Sequence, residues 1–72
     1  MIVYTPFWET LQQSGETTYT LINNYKISSA TIHKLRRNYP ITTTTINDLC
    51  RILHCGVNQI LRYVPSEEDQ TL

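Results

Sequence analysis

The sequence predicts a single, compact all-α domain of five short helices, preceded by a short extended segment. Apolar residues make up 40% of the 72 residues and only two residues are glycine, a composition typical of an ordered, largely helical domain. Apolar side chains recur at three- and four-residue spacing along most of the chain, which is the periodicity of helices with one buried face. Serine, threonine, glycine and proline separate these stretches and supply helix starts and ends.

The N-terminal segment, residues 1–5, is predicted to be an extended arm because its apolar residues are β-prone. Thr5 suits the N-cap of the first helix, and Pro6 suits its first position. We therefore predict this helix from Pro6 to about Ser14, with its end set by Gly15.

Two further helices follow, with only a short connection between them. The second helix is predicted from a cap at Thr17 to about Tyr25, and the third from a cap at Ser28 to about Arg37. Ile27 lies in the connection, and the far end of the third helix is basic. This is the pattern of a helix-turn-helix, whose second helix can lie in the major groove of DNA.

The fourth helix is predicted to begin after Pro40, because the residue before a proline is disfavoured in helical conformation. Thr42 or Thr43 supplies its N-cap, and either His54 or Cys55–Gly56 ends it.

A short fifth helix is predicted over residues 57–63, and Pro65 stops it. Residues 66–72 form a polar tail, and the whole chain, residues 1–72, makes one domain with little room for a substrate cavity beside its core. The residues predicted to form the core lie on the apolar helix faces: Phe7, Trp8, Leu11, Leu21, Ile32, Leu35, Ile46, Leu49, Leu53, Ile60 and Tyr63.

The distribution of charge is more informative than the formal net charge, which is zero. No acidic residue lies between Glu16 and Asp48, whereas that window contains Lys26, His33, Lys34, Arg36 and Arg37. Three of the six acidic residues lie in the C-terminal tail, so the rest of the chain carries six basic against three acidic residues, a net charge of +3. A basic face of this kind favours a nucleic-acid partner.

Five groups of residues, taken with their spacing, resemble one known family. They are Tyr4 to Trp8, Lys26 to Arg36, Ile41-Thr42 with Thr45-Ile46, Leu49-Cys50 with Leu53-His54-Cys55, and Ile60-Leu61. The chain resembles the Cro- and lambda-repressor-like helix-turn-helix proteins, also called the xenobiotic-response-element family, in their compact single-domain bacterial form. The resemblance implies a sequence-specific DNA-binding transcriptional regulator that acts as a repressor on an operator. Two positions depart from the family: Lys26 replaces the usual turn glycine, and Ile22 replaces a small residue of the second helix.

The family's motif, matched position by position, assigns the helix Ser28–Arg37 to the major groove. The residues expected to meet base edges are Ser29, Ala30, Thr31, His33 and Lys34. Lys34 can donate to guanine O6 or N7, and Ala30 or Thr31 can contact a thymine methyl. The alternative interpretation is a solvated helix face made of ordinary helix formers.

A second set of residues is expected to contact DNA phosphates: Thr17, Thr18, Arg36, Arg37, Tyr39, Thr43 and Thr44. The threonines stand at predicted helix starts, where hydroxyls and backbone N–H groups bind phosphate in addition to capping. Arg36 and Arg37 are consecutive and cannot share one helix face, so one is expected to contact phosphate and the other to interact with the helix dipole. Tyr39 either contacts the sugar-phosphate backbone or covers the core.

The remaining residues suggest no cofactor chemistry. Cys50 and Cys55, with His54 between them, do not supply the four ligands of a zinc site, so we expect reduced thiols, no metal, no cofactor and no small-molecule ligand. No nucleophile has a histidine and carboxylate partner, and we expect no enzymatic activity. Reduced thiols without a signal peptide or a long apolar run favour a cytoplasmic protein without a membrane partner.

The expected partners are double-stranded DNA and a second copy of the chain. One domain of this size covers a half-site, and a homodimer would pair through residues 2–4 or through Ile60, Tyr63 and Val64, unless both segments fold back over their own core. The alternative function is a protein-interaction module, such as an antitoxin or a regulator subunit with the same fold. The zero net charge keeps this alternative open, and the salt dependence of binding would distinguish the two.

Overall fold

The computed structural model describes residues 1–69, a mostly helical domain with four α-helices and a two-stranded sheet. The helices are α1 Thr5–Ser14, α2 Thr18–Tyr25, α3 Ser29–Arg37 and α4 Thr43–Leu53, and the strands are β1 Ile2–Val3 and β2 Arg62–Tyr63. A 3-10 turn, Val57–Gln59, lies between α4 and β2. The predicted polar tail extends beyond this range, so that residues 70–72 lie outside the described part of the chain. None of the helices in residues 1–69 has the length and apolarity needed to cross a membrane.

Hydroxyl side chains cap three of the four helices, as their spacing predicts. The hydroxyl oxygens of Thr17, Ser28 and Thr42 accept hydrogen bonds from the backbone N–H groups of Thr20, Thr31 and Thr45, at 3.2, 3.1 and 3.1 Å. Each of these bonds satisfies one of the backbone donors that a helix start leaves without a partner. Thr42, rather than Thr43, is therefore the cap of α4.

Every α-helix ends on a residue with a left-handed backbone. Gly15 ends α1 with a φ of 82°, whereas Lys26, Asn38 and His54 end α2, α3 and α4 with φ values of 63°, 57° and 53°. Left-handed conformation brings a Cβ close to the following carbonyl oxygen, so that it is more costly for the three non-glycine residues. His54 thus supplies the end of α4, one of the two alternatives that the sequence offered.

The predicted fifth helix is wrong, and the all-α fold class is confirmed only in part, as a mostly helical domain. After the 3-10 turn the chain becomes extended, and β2 pairs antiparallel with β1 in the register Ile2 to Tyr63 and Val3 to Arg62. The Val64 N–H extends the ladder by donating to the Met1 carbonyl at 2.8 Å. A helix as short as the predicted one is marginal by itself, and its β-prone end gains more from pairing with the N-terminal segment.

The extended arm is shorter than predicted, because Tyr4, not Thr5, is the N-cap of α1 and its side chain makes no capping hydrogen bond. Distant segments instead satisfy the backbone donors at this helix start. The Tyr4 N–H donates to Oδ1 of Asn38 at 3.0 Å, and the Phe7 N–H donates to the Ile60 carbonyl at 3.1 Å. Tyr4 is itself buried, and its hydroxyl donates to the Tyr39 carbonyl at 2.8 Å.

One apolar core lies between the helices and the 3-10 turn. Its buried members are Tyr4, Phe7, Leu11, Leu21, Ile27, Ile32, Leu35, Leu49, Ile52, Leu53 and Ile60. Trp8 packs against this core but is only half-buried, and Ile46 is also half-buried, so that their predicted burial is confirmed only in part. The predicted burial of Tyr63 is wrong, because its place in β2 leaves the side chain 62% exposed.

Candidate nucleic-acid interface

The turn between α2 and α3 positions the candidate recognition helix. The Lys26 N–H donates to the Leu21 carbonyl, and the Ile27 N–H donates to the same carbonyl at 3.0 Å. Ile27 is buried in the core, and Ser28 then caps α3. The chain therefore changes direction within three residues, with an apolar side chain anchoring the turn between the two helices.

One face of α3 is held firmly against the body of the domain. Ile32 and Leu35 are buried, and the Trp8 Nε1–H donates to the Leu35 carbonyl at 3.4 Å. The guanidinium of Arg36 lies 5.3 Å from the centre of the Trp8 ring, within the range of a cation–π interaction. Trp8 thus connects α1 with the last turn of α3.

The opposite face of α3 is open to solvent. Of the residues predicted to meet bases, Ser29, Ala30, His33 and Lys34 are exposed and Thr31 is half-buried. The side chains of Ala30, Lys34 and Arg37 follow one another at spacings of four and three, so that they share the outward face. The Thr31 hydroxyl lies 2.9 Å from the Ser28 hydroxyl at the edge of that face.

The two arginines at the end of α3 have different surroundings. Arg37 shares the outward face, whereas Arg36 lies over the Trp8 ring. The Tyr39 ring is exposed and stands edge-on to His33, with 6.1 Å between the ring centres. The Tyr39 backbone, in contrast, is fixed from both sides, by its N–H to the Lys34 carbonyl at 2.9 Å and by its carbonyl to Tyr4.

The start of α4 lies beside the outward face of α3. A shallow groove of about 230 Å³ separates the two, and its walls are Thr31, Lys34, Pro40, Ile41, Thr42 and Thr45. Thr43 and Thr44 are exposed in the first turn of α4, next to this groove. The backbone donors of a helix start favour an anion, and here they stand close to a lysine.

The start of α2 holds its hydroxyl groups in a reciprocal pair. The Thr20 N–H donates to the Thr17 hydroxyl oxygen, and in return the Thr17 N–H donates to Oγ1 of Thr20 at 2.9 Å. Thr17 is exposed and Thr18 is half-buried. Of the residues predicted to contact DNA, Thr31 and Lys34 line the groove between α3 and α4, whereas Thr17 and Thr18 are not among its walls.

The cations of α3 have no acidic partner within residues 1–69. The salt bridges of this range join Asp48 to Arg51 at 3.6 Å and the amino group of Met1 to Asp69 at 2.8 Å. Both pairs involve exposed groups of other elements. The positive charge of Lys34, Arg36 and Arg37 is therefore not neutralised by ion pairs of the protein, which suits a surface that faces phosphate groups.

Two residues that support this surface were not among those that the sequence predicted to take part in it. Asn38 connects the end of α3 to the start of α1 through its hydrogen bond with Tyr4, and Trp8 supports α3 from below. Asparagine directly after a basic helix is a known signal for a left-handed helix end, but its side-chain partner lies 34 residues away in sequence. No local pattern could have identified that partner.

One solved structure shares this fold, and one family model matches the sequence. The crystal structure of the transcriptional regulator VanUg, form II, is similar with a TM-score of 0.81 and 23% sequence identity, over 90% of this chain and 87% of the other. No curated protein matches the sequence. The family model for the Cro/C1-type helix-turn-helix DNA-binding domain matches residues 7–66, which confirms the resemblance drawn from the sequence. The chain therefore belongs to the family of Cro/C1-type helix-turn-helix DNA-binding domains.

Proposed function

We propose that this protein is a sequence-specific transcriptional repressor that places α3 in the major groove of an operator. The observation that carries the proposal is the two-sided character of α3. Ile32 and Leu35 fix one face to the core, while Ala30, Lys34 and Arg37 present an exposed, basic face without acidic partners in residues 1–69. VanUg, which has a similar fold, is a transcriptional regulator, and this supports a regulatory role for the present chain.

The first half of α3 supplies the base contacts in this proposal. They come from Ser29, Ala30, Thr31, His33 and Lys34, as the family's motif assigns them. Lys34 is the most informative of these residues, because it is exposed, charged and placed where α3 meets the groove beside α4. A lysine in this position can donate to a guanine, which discriminates by about 1–3 kcal/mol against other bases.

Phosphate contacts flank α3 on both sides. At the start of α4 they come from Thr43 and Thr44, and at the start of α2 from Thr17 and Thr18. At the end of α3 they come from Arg36, Arg37 and Tyr39. We assign the principal phosphate contact there to Arg37, because the Arg36 guanidinium is occupied by Trp8. Phosphate contacts fix the register of α3 but carry no sequence information.

The protein acts as a homodimer in this proposal, through the outer surface of the small sheet. Contacts within the chain already use the other predicted dimer segments, since β1 pairs with β2, Tyr4 is buried and Ile60 is buried. Ile2 and Tyr63 face each other across the two strands and remain 41% and 62% exposed. Their side chains form an apolar pair suited to an isologous contact.

Selection of bound sequences from a random duplex pool tests the function. A repressor of this type should select a defined site, and its affinity should fall steeply with salt because phosphate contacts release counterions. Lys34→Ala should lose about 1–3 kcal/mol on the selected duplex and little on unrelated duplexes. Arg37→Ala should weaken binding to all duplexes and reduce the salt slope by about 1.

Arg51→Ala is the matched control, because it removes an exposed cation of α4 that pairs with Asp48 and does not line the groove beside α3. It should leave both the affinity and the salt slope unchanged. Failure of the wild type to enrich any sequence, with no salt-dependent duplex binding, would instead indicate a protein-interaction module. Sedimentation of the wild type and of Tyr63→Lys, each alone and with the selected duplex, tests the homodimer. A wild type that stays monomeric and binds a site without two-fold symmetry would contradict the homodimer.

A further inference from the structure

The end of α4 brings two cysteine side chains together. His54 has a left-handed backbone, and the Cys55 N–H donates to the Cys50 carbonyl at 3.1 Å. In a helix end of this type the residue after the left-handed one packs against the residue whose carbonyl it binds. This backbone hydrogen bond therefore sets the Cys55 side chain beside that of Cys50.

Both thiols are free and only half-buried, so that a small reagent can reach them from solvent. The end of α3 has the same turn, but the residues that correspond to the two cysteines there are Lys34 and Tyr39. The end of α2 has a wider turn, in which Ile27 binds the Leu21 carbonyl, and both of these residues are apolar. Within residues 1–69, then, the end of α4 is where the backbone brings two cysteines together.

We propose that Cys50 and Cys55 form a site of reversible thiol oxidation, which closes an intramolecular disulfide on reaction with a low-molecular-weight disulfide of the glutathione type. One cysteine thiolate attacks the reagent, which forms a mixed disulfide and releases one reagent thiolate. The second cysteine thiolate attacks the protein sulfur of the mixed disulfide and releases the other. Two protein thiols and one reagent disulfide become one protein disulfide and two reagent thiols, which take up the two protons that the cysteines lose.

Burial raises the pKa of the Cys55 thiol, and the neighbouring Cys50 raises it further. Cys55 is therefore mostly protonated near neutral pH, and the reaction should become faster as the pH rises, since the thiolate is the nucleophile. The closed disulfide would join the last turns of α4 to the segment that leads into the 3-10 turn. That turn packs on α1, where the Phe7 N–H binds the Ile60 carbonyl, so that oxidation should make the domain harder to unfold.

Intact mass spectrometry of the purified wild type, equilibrated with oxidised glutathione, tests the inference. The expected product is a monomer lighter by two hydrogen atoms, with no thiol left to react with an alkylating reagent. Its melting temperature should be higher than that of the reduced protein and should fall again on reduction. Cys50→Ser and Cys55→Ser each retain one thiol, and each should instead gain one glutathione and show no such rise in melting temperature.

The mass of the wild type alone decides the matter, even if a serine variant fails to fold. A wild type that carries two glutathiones, that forms disulfide-linked dimers, or that stays fully reduced in oxidised glutathione would overturn the proposal. None of these results depends on DNA binding, so the proposed repressor function stands or falls separately.

Discussion

Replacement of Lys26 by glycine should stabilise the protein, although it removes a side chain from the turn between α2 and α3. Lys26 holds φ and ψ values of 63° and 25°, and its side chain is exposed. Left-handed conformation costs an L-residue about 1–2 kcal/mol. Glycine avoids that cost but loses about 0.5–1 kcal/mol, because its unfolded chain is freer. The middle of each range leaves a net gain of about 0.75 kcal/mol for Lys26→Gly.

Thermal unfolding followed by circular dichroism measures this gain. A domain of this size shifts its melting temperature by about 4–8 °C per kcal/mol, so that Lys26→Gly should melt about 3–6 °C above the wild type. Lys26→Ala is the control, because it removes the same charge and the same long side chain but keeps the Cβ. If the glycine and alanine variants melt at the same temperature, backbone strain at Lys26 does not limit stability.

The other two left-handed residues sharpen the test, because the structure predicts opposite signs for them. His54 is exposed with a φ of 53°, so His54→Gly should also stabilise. Asn38→Gly should destabilise, because it removes the acceptor of the Tyr4 N–H, and a part-buried donor without a partner costs about 1–3 kcal/mol. If the melting temperature shifts in the same direction for all three glycine variants, the hydrogen bond of Asn38 does not outweigh the relief of its left-handed backbone.

Three further predictions concern the core, the buried tyrosine and the contact between α1 and α3. Leu49→Ala should cost about 2–5 kcal/mol, measured by urea unfolding, because Leu49 is fully buried; an unchanged midpoint would contradict this. Burial raises the pKa of the Tyr4 hydroxyl above its ordinary value of 10.0. Because the unfolded chain then loses the hydroxyl proton at a lower pH than the folded chain does, the free energy of unfolding should fall as the pH rises above about 10. Tyr4→Phe should show a smaller loss over that range than the wild type. Arg36→Gln should change the fluorescence of Trp8, the chain's one tryptophan, without unfolding the protein, because it removes the cation over the ring; an unchanged spectrum would argue against that contact.

The helix starts could be predicted from the sequence because their signals are local. Ser28 and Thr42 bond to backbone donors three residues ahead, and such a bond needs nothing from the rest of the fold. Lys26 shows the limit of this approach. The family resemblance located the turn correctly, but only the backbone shows that a lysine occupies its left-handed position.

The chain after α4 could not be predicted in the same way. Residues 57–63 have apolar spacing that fits a helix and β-prone residues that fit a strand, so that local preference does not decide between them. Pairing with β1 decides, because Ile2 and Val3 supply backbone partners from the other end of the chain. The position of the Arg36 guanidinium could not be predicted from local sequence either, since its partner Trp8 lies on a different helix.

The orientation of the candidate recognition helix depends on this same N-terminal segment. Two hydrogen bonds connect them: the Tyr4 N–H binds Oδ1 of Asn38, and the Tyr4 hydroxyl binds the Tyr39 carbonyl. Both acceptors lie directly after the end of α3, and Tyr4 directly follows β1. The strand pairing of β1 with β2 therefore supports the end of α3 through Tyr4. A change in the small sheet should alter how α3 is presented to DNA, although the sheet has no residue among those proposed to contact it.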